Sequence, residues 1–248
     1  MKDGTFYFKQ FSVKHHESGM KVGTDAILLG AWTSLEIKGK NKYTNILDIG
    51  TGTGVLALML AQRAKSCLVD AIDLDAFAYE ECLLNVRNSG FKNNELVQSV
   101  QCFHSSLQEW IRYCNKKYDI LICNPPFYYK GFPVADEKRN KARAAENLLP
   151  ENLITAAKKL LYNDGILSVI YPVREGERFL QMCIETNLYC KRKTTVYPKE
   201  NKPAKRILLE ITSTQSETKT DTIIIEHEGQ HNYTEQYKNL TKEFYLHF

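Results

Sequence analysis

The sequence predicts an α/β fold in which a mostly parallel sheet carries helices on both faces. Three observations lead there. Between Asn45 and Tyr171 short apolar runs alternate with stretches of helical periodicity, the pattern of strands buried on both sides. Glycines at 50, 52 and 54 fall where the first of these runs gives way to a helical pattern. After residue 190 the composition turns β-rich. A chain of 248 residues, 43% of them hydrophobic, can bury a substantial core as one unit.

In order along the chain, "TFYFKQFSV" (5–13) reads as strand-like, and a His-Glu-Gly loop follows it. "TDAILLGAW" (24–32) reads as an apolar helix, with Thr24 or Asp25 as its N-cap. Strand-like runs come at "NILDIG" (45–50), "LVDAIDL" (68–74), "LVQSVQCF" (96–103), "YDILIC" (118–123) and "GILSVIY" (165–171). "VLALMLAQRA" forms the helix after the first run, and "DAFAYEECLLNVRNSG" forms the helix after the second, closing on Gly90. Pro150 opens a helix that continues through "ENLITAAKKLL" to a turn at Asn163-Asp164-Gly165. The charged stretch 130–147 has little periodicity and reads as a loop on the substrate side. "YCKRKTTVYP", "KRILLEITS" and "DTIIIEHE" then read as strands, and the amphipathic "YTEQYKNLTKEFYLHF" ends the chain. Its aromatics Phe244, Tyr245 and Phe248 are expected to dock this tail, and Trp32 and Trp110 to lie in the core.

Composition narrows the function classes. No apolar run approaches the roughly 18 residues of a membrane span, and "MKDGTFYFKQF" lacks the apolar stretch of a secretory signal. Seven cysteines, odd in number and with no C-x-x-C pair, are expected as reduced thiols in a soluble, cytoplasmic protein. His15 and His16 are adjacent and have no Cys or Asp beside them, so no metal is expected. A net charge of +4 permits an acidic partner such as RNA without demanding one.

"ILDIGTGTGVLAL" places Gly50, Gly52 and Gly54 at a strand-to-helix turn, where glycine allows backbone N–H groups to approach a ligand. The spacing is G-x-G-x-G, not the G-x-G-x-x-G of a dinucleotide site. Asp73, at the end of the second strand, can accept both hydroxyls of a ribose, and Asp48 can bind an α-amino group. A ribose, an amino group and a carboxylate without phosphates describe S-adenosylmethionine. A glycine turn that serves packing alone is the competing interpretation, and the agreement of strand, glycines, helix and second-strand acid favours the nucleoside.

"DILICNPPFYY" ends a buried strand in Asn124-Pro125-Pro126-Phe127. An amine conjugated to a ring or a carbonyl is a poor nucleophile, and a site that methylates one must accept its N–H hydrogens as positive charge develops. The Asn124 side-chain oxygen and the Pro125 carbonyl supply two acceptors, and Phe127, with Tyr128, offers a face on which an extruded base can stack. Alone, the four residues suit an ordinary turn equally well. Beside the glycine loop they point to methylation of an amino nitrogen.

Together "LDIGTGTGVLAL", "AIDLD" and "ICNPPFY" resemble the class I S-adenosylmethionine-dependent methyltransferases of the N6-adenine type. "FKQFSV…GMKVGTDAILLGAW", "PAKRILLE" and "YTEQYKNLTKEFYLHF" are similar to the bacterial tRNA(Val) (adenine-N6)-methyltransferase family, which modifies the adenosine adjacent to the anticodon. The resemblance covers nearly the whole chain and implies a Rossmann-like, seven-stranded, mostly parallel sheet with a final antiparallel hairpin. It further implies that Gly50, Gly52 and Gly54 hold the methionine end of the cofactor, that Asp73 takes the ribose, and that Ser106 stands where relatives often carry an Asp facing the adenine. Lys21 and Thr24 are candidates for covering the methionine end. One domain is expected over 1–248, with 1–44 packing as an extension on a catalytic core of 45–248, acting as a monomer on tRNA. Protein glutamine N5-methyltransferases and ribosomal-RNA guanine-N2 methyltransferases share the N-P-P-aromatic chemistry and stay open, as does a binding module that has lost catalysis. Two basic runs are candidate phosphate contacts: Lys138, Arg139, Lys141 and Arg143, and 191–206 with Lys205 and Arg206 at its end.

Overall fold

An antiparallel hairpin opens the chain: β1 (Thr5–Tyr7) pairs with β2 (Ser12–Lys14). The sequence reads as one strand here, but the Phe8 N–H donates to the Phe11 carbonyl and the two rings stack at 4.5 Å, which reverses the chain. The computed structural model describes residues 4–15, 22–35, 44–64, 66–89, 99–126, 148–229 and 231–247. Helix α1 (Thr24–Trp32) is capped by Gly23 in extended conformation, so neither Thr24 nor Asp25 serves as the N-cap. Asp25 lies in the first turn, where a carboxylate favours the helix dipole, and its Oδ2 accepts from Arg206 Nε at 2.8 Å.

The alternating region forms β3 (Thr44–Ile49), α2 (Val55–Arg63), β4 (Cys67–Asp73), α3 (Ala76–Arg87), β5 (Val100–His104), α4 (Leu107–Tyr113), β6 (Tyr118–Cys123), α5 (Pro150–Leu160), β7 (Leu161–Pro172) and α6 (Val173–Glu185). It is followed by β8 (Tyr189–Lys199), β9 (Arg206–Thr212), β10 (Lys219–Glu226) and α7 (Glu235–Thr241). The main sheet runs β10-β8-β9-β7-β6-β3-β4-β5. β5, β4, β3, β6 and β7 are parallel, β9 is antiparallel to both β7 and β8, and β10 lies parallel to β8. The sheet therefore has eight strands, not the seven expected. β10 covers the open edge of β8, with Asp221 taking Arg192 and Thr194. The outer edge of β10 is in turn capped by Gln236, whose amide donates to the Thr222 carbonyl and accepts from the Ile224 N–H, which blunts a row of unpaired backbone groups.

Period-two alternation divides the apolar side chains between the two faces of the sheet. Ile46, Ile120 and Ile122 face α1, α2 and α7, whereas Leu47, Leu121 and Cys123 face α5 and α6. No helix is predicted where α6 lies, because Arg174, Glu175, Glu177 and Arg178 interrupt its short apolar stripe of Gly176, Phe179 and Cys183. Helix α4, about two turns with only Leu107 buried, is not predicted either. The predicted helix over 150–161 ends at Leu160, and the predicted turn at 163–165 becomes a bulge, the pairing jumping from Tyr118–Leu161 to Ile120–Ile166. Trp32 is core, with its indole donating to Thr194, while Trp110 is half-buried against Phe103. No helix among the described residues is long and apolar enough to cross a membrane.

The C-terminal tail closes over the N-terminal hairpin. Phe244 is 1% exposed, edge-on to Phe8, and its carbonyl accepts from the Lys9 N–H. The Tyr245 hydroxyl meets that of Tyr237 at 3.0 Å, and Phe248 and Gly90 lie outside the described residues. Phe244→Ala should lower unfolding free energy by roughly 3–5 kcal/mol in urea titration. A loss below about 1 kcal/mol would show that the tail contributes little to stability.

Candidate active site

The parallel strands β4, β3 and β6 bring their carboxyl ends side by side, the usual location of ligands in a doubly wound sheet. The chain leaves β3 through Gly50, Gly52 and Gly54, all at positive φ (66°, 55° and 81°), and Gly54 caps α2 in the left-handed conformation. Gly52 has open space where a side chain would project, so a ligand can meet the backbone there. Gly50 and Thr51 N–H both donate to the Ile72 carbonyl, which ties the loop to β4.

Asp73 closes this loop from the neighbouring strand. Its Oδ2 accepts from the Gly52 N–H at 2.9 Å and its Oδ1 from the Asp75 N–H. Burial raises its carboxyl above the ordinary range, and each oxygen keeps a further lone pair for a donor such as a ribose hydroxyl. A small cleft open to solvent lies beside it, lined by Ile49, Gly50, Asp73, Leu74, Ser105 and Leu148 among others. Apolar walls with a single carboxylate at one end suit a flat nucleoside base and its sugar.

Asp48 is 0% exposed. Its Oδ2 accepts from Thr51 Oγ1 at 2.6 Å and from the Ala57 N–H at 3.1 Å, whereas Oδ1 has no hydrogen-bond partner among the described residues. Burial, reinforced by the charge of Asp73, pushes its carboxyl up to about 7 in spite of those two bonds. A buried carboxylate with an orphaned oxygen, beside the half-buried Asp73, forms a site that a cation would complete. A ligand with a ribose and an ammonium group fits these residues.

One strand over, β6 ends at Cys123 and delivers Asn124, two residues beyond the Asp48–Ile122 pairing and thus level with Gly50. Asn124 Oδ1 is buried and has no hydrogen-bond partner among the described residues. Pro125 is buried beside it. An unsatisfied acceptor at a strand end costs about 1–3 kcal/mol, so its persistence points to a ligand donor.

Ser106 is placed otherwise than expected. Its hydroxyl and N–H both donate to Glu109 Oε2, and its oxygen accepts the Glu109 N–H, a complete capping box for α4. Ser105, one residue earlier, lines the cleft instead. Thr24 is exposed at the start of α1, on the same edge of the sheet through the pairing of Asp25 with Arg206. Lys21, Phe127, Tyr128, Lys138, Arg139, Lys141, Arg143, His16 and the expected loop 130–147 lie outside the described residues.

Comparison with known proteins agrees with this geometry. Residues 27–196 match the family model "Methyltransferase small domain". A relative from Flavobacterium psychrophilum is 41% identical, covering 97% of this chain and 99% of its own length, and one from Christiangramia forsetii is 40% identical, covering 99% of each. Both are named tRNA1(Val) (adenine(37)-N6)-methyltransferase. The chain belongs to the tRNA1(Val) (adenine(37)-N6)-methyltransferase family. Among solved structures, an Agrobacterium tumefaciens protein titled a "predicted O-methyltransferase" shares the fold (TM-score 0.66, 16% identity, 89% of this chain and 96% of that one). The human methyltransferase 10 domain containing protein does so more distantly (TM-score 0.53, 16% identity, 79% of this chain and 85% of that one).

Within this member of the tRNA1(Val) (adenine(37)-N6)-methyltransferase family, Asn85 is a site residue that sequence reading missed. Buried in α3, it donates to the carbonyls of Thr53 and Lys14 and accepts from the Lys14 N–H, clamping the glycine loop to β2. Thr51, Leu74, Ser105 and Leu148 also escaped notice. The second basic run is largely paired: Arg192 with Asp221, Lys193 with Glu177, Lys199 with Glu226 and Arg206 with Asp25, while Lys205 is exposed.

The raised Asp48 carboxyl has a pH signature. A carboxyl that binds its proton more tightly in the folded state stabilises the fold fully below its unfolded value of 3.8 and loses that contribution as pH rises through about 7. Between about pH 5 and 7 the ligand-free wild type should lose stability relative to Asp48→Asn, with a slope approaching about 1.4 kcal/mol per pH unit. Parallel profiles for the two proteins would contradict the assignment.

Proposed function

We propose that this chain transfers a methyl group from S-adenosylmethionine to the N6 amino group of an adenosine in tRNA, the anticodon-loop adenosine 37 of tRNA1(Val) named in its relatives. The observation that carries the reading is the buried Oδ1 of Asn124, without a hydrogen-bond partner among the described residues, at the start of the Asn124-Pro125-Pro126-Phe127 stretch and next to the glycine loop of β3. S-adenosylmethionine supplies, when bound, a methyl group on a positively charged sulfur. Asp48 Oδ1 receives its ammonium group, Asp73 its ribose hydroxyls, and the backbone at Gly50, Gly52 and Gly54 its methionine end. Leu74, Ser105 and Leu148 wall its adenine.

Asn124 Oδ1 and the Pro125 carbonyl accept the two N–H hydrogens of the target amine. Drawing those hydrogens out of the base plane loosens the lone pair from the ring, and the acceptors strengthen as positive charge grows on nitrogen. Phe127 and Tyr128 stack the extruded base, Lys141, Arg143 and Lys205 contact phosphates, and Arg206 adds its charge from its pairing with Asp25. The proton lost afterwards passes to water, so no side chain of shifted pKa is needed as base. Residues 1–44 and the core act as one cytoplasmic, monomeric unit without a metal.

Asn124→Ala should lower methyl transfer to tRNA by roughly 10²–10³-fold while cofactor affinity stays within a few fold. Labelled S-adenosylmethionine, bulk bacterial tRNA and mass spectrometry of the digested nucleosides check this, with N6-methyladenosine as the expected product. Label appearing in a release-factor-type protein instead of tRNA would transfer the reading to carboxamide methylation.

A further inference from the structure

Two thiols lie directly behind the cofactor loop. Cys82 on α3 and Cys102 on β5 place their sulfurs 3.2 Å apart. Cys82 is fully buried and Cys102 half-buried, on the edge strand of the main sheet. Cys82 also touches the loop itself. Its sulfur is 3.9 Å from Thr51 Oγ1, the hydroxyl that holds Asp48, and it occupies the space beside Gly54, where an added Cβ would meet it at 2.8 Å. The hydrogen bond from Cys82 lowers the Cys102 thiol, helped by Arg87, against burial and Asp48, which raise it. The outer, more accessible sulfur is thus the better nucleophile and the inner one is placed to resolve it.

We propose that Cys82 and Cys102 form an oxidation site for hydroperoxides whose disulfide weakens the cofactor loop's hold on S-adenosylmethionine. In the first step the Cys102 thiolate attacks the peroxide O–O bond, giving a sulfenic acid and releasing hydroxide from hydrogen peroxide or alkoxide from an organic hydroperoxide. In the second, the Cys82 sulfur displaces water from that sulfenic acid and the S–S bond forms, so one peroxide is reduced by two electrons and the dithiol is oxidised by two. An S–S bond of about 2 Å draws the sulfurs roughly 1 Å closer than they stand in the dithiol. Cys82 then withdraws from Gly54 and Thr51, and the seat of Asp48 loosens. The coupling rests on reading the glycine loop as the seat of S-adenosylmethionine.

The test treats the full-length protein with hydrogen peroxide, removes the excess, maps disulfides by peptide mass spectrometry and titrates S-adenosylmethionine by calorimetry. A Cys82–Cys102 bridge and an affinity lowered about tenfold or more, both reversed by dithiothreitol, are expected, the size following from an ångström-scale misplacement in a binding site. Cys102→Ser, with Cys102→Ala as a second variant, should bind the cofactor like the reduced wild type and be indifferent to peroxide. Absence of that bridge after treatment, or a bridge with unchanged affinity, or equal loss of affinity in the Cys102 variants, would overturn the proposal. Reduced protein that binds no S-adenosylmethionine would instead remove the cofactor reading and the coupling with it, while the disulfide map still decides the oxidation site.

Discussion

The carboxylate of Asp48 sits at the end of the central strand with one oxygen held by Thr51 and Ala57 and the other without a hydrogen-bond partner among the described residues. Leaving a buried charge half satisfied is costly, and the fold arranges its surroundings around that cost. Positive φ at three glycines bends the chain tightly enough for Thr51 to reach back to Asp48. Asp73, one strand over, fixes the Gly52 N–H and adds a second negative charge to the same small volume. Asn85 and Cys82 brace the loop from α3. The protein thereby builds a negative, rigid, incompletely paired hollow, which is the complement of a small cationic ligand.

Asn124 shows the same logic applied to the substrate side. Parallel pairing of β3 with β6 sets it level with the glycine loop, and the two prolines that follow offer carbonyls without competing N–H groups at their own positions. Acceptors converge on one edge of the sheet from three strands, one set suited to a cation and the other to an amine. This division explains how the same framework can carry different methylations: the cofactor end depends on β3 and β4, and the chemistry of the acceptor on what ends β6.

Much of this was legible in the sequence because strand ends are legible. Apolar runs halting at "GTGTG" and "NPPF", with "LVDAIDL" between them, place Asp48, the glycines, Asp73 and Asn124 on one sheet edge. What was not legible depended on competition between partners. Ser106 looked free to meet a ligand, but Glu109 three residues on makes it a helix cap and leaves the cleft to Ser105. Asn85, in the interior of a helix, gains its role from Lys14, 71 residues away. Arg206 reads as a phosphate ligand until the fold brings Asp25 to it across 181 residues. The eighth strand was itself legible, since "DTIIIEHE" reads as a strand; the count of seven came from the family resemblance, and what no local pattern displays is that this strand docks parallel to β8. Helices α4 and α6 bury too narrow a stripe to stand out against their charges.

The most direct test of the incompletely paired carboxylate is the proton count on cofactor binding. Calorimetric titration of S-adenosylmethionine in buffers of different ionisation enthalpy measures protons exchanged per ligand bound. With the Asp48 carboxyl at about 7 in the free protein, an ammonium group placed against it should expel close to one proton near pH 6 and almost none near pH 8.5, and Asp48→Asn should expel none at either. Wild-type binding that releases no protons near pH 6 would contradict the account.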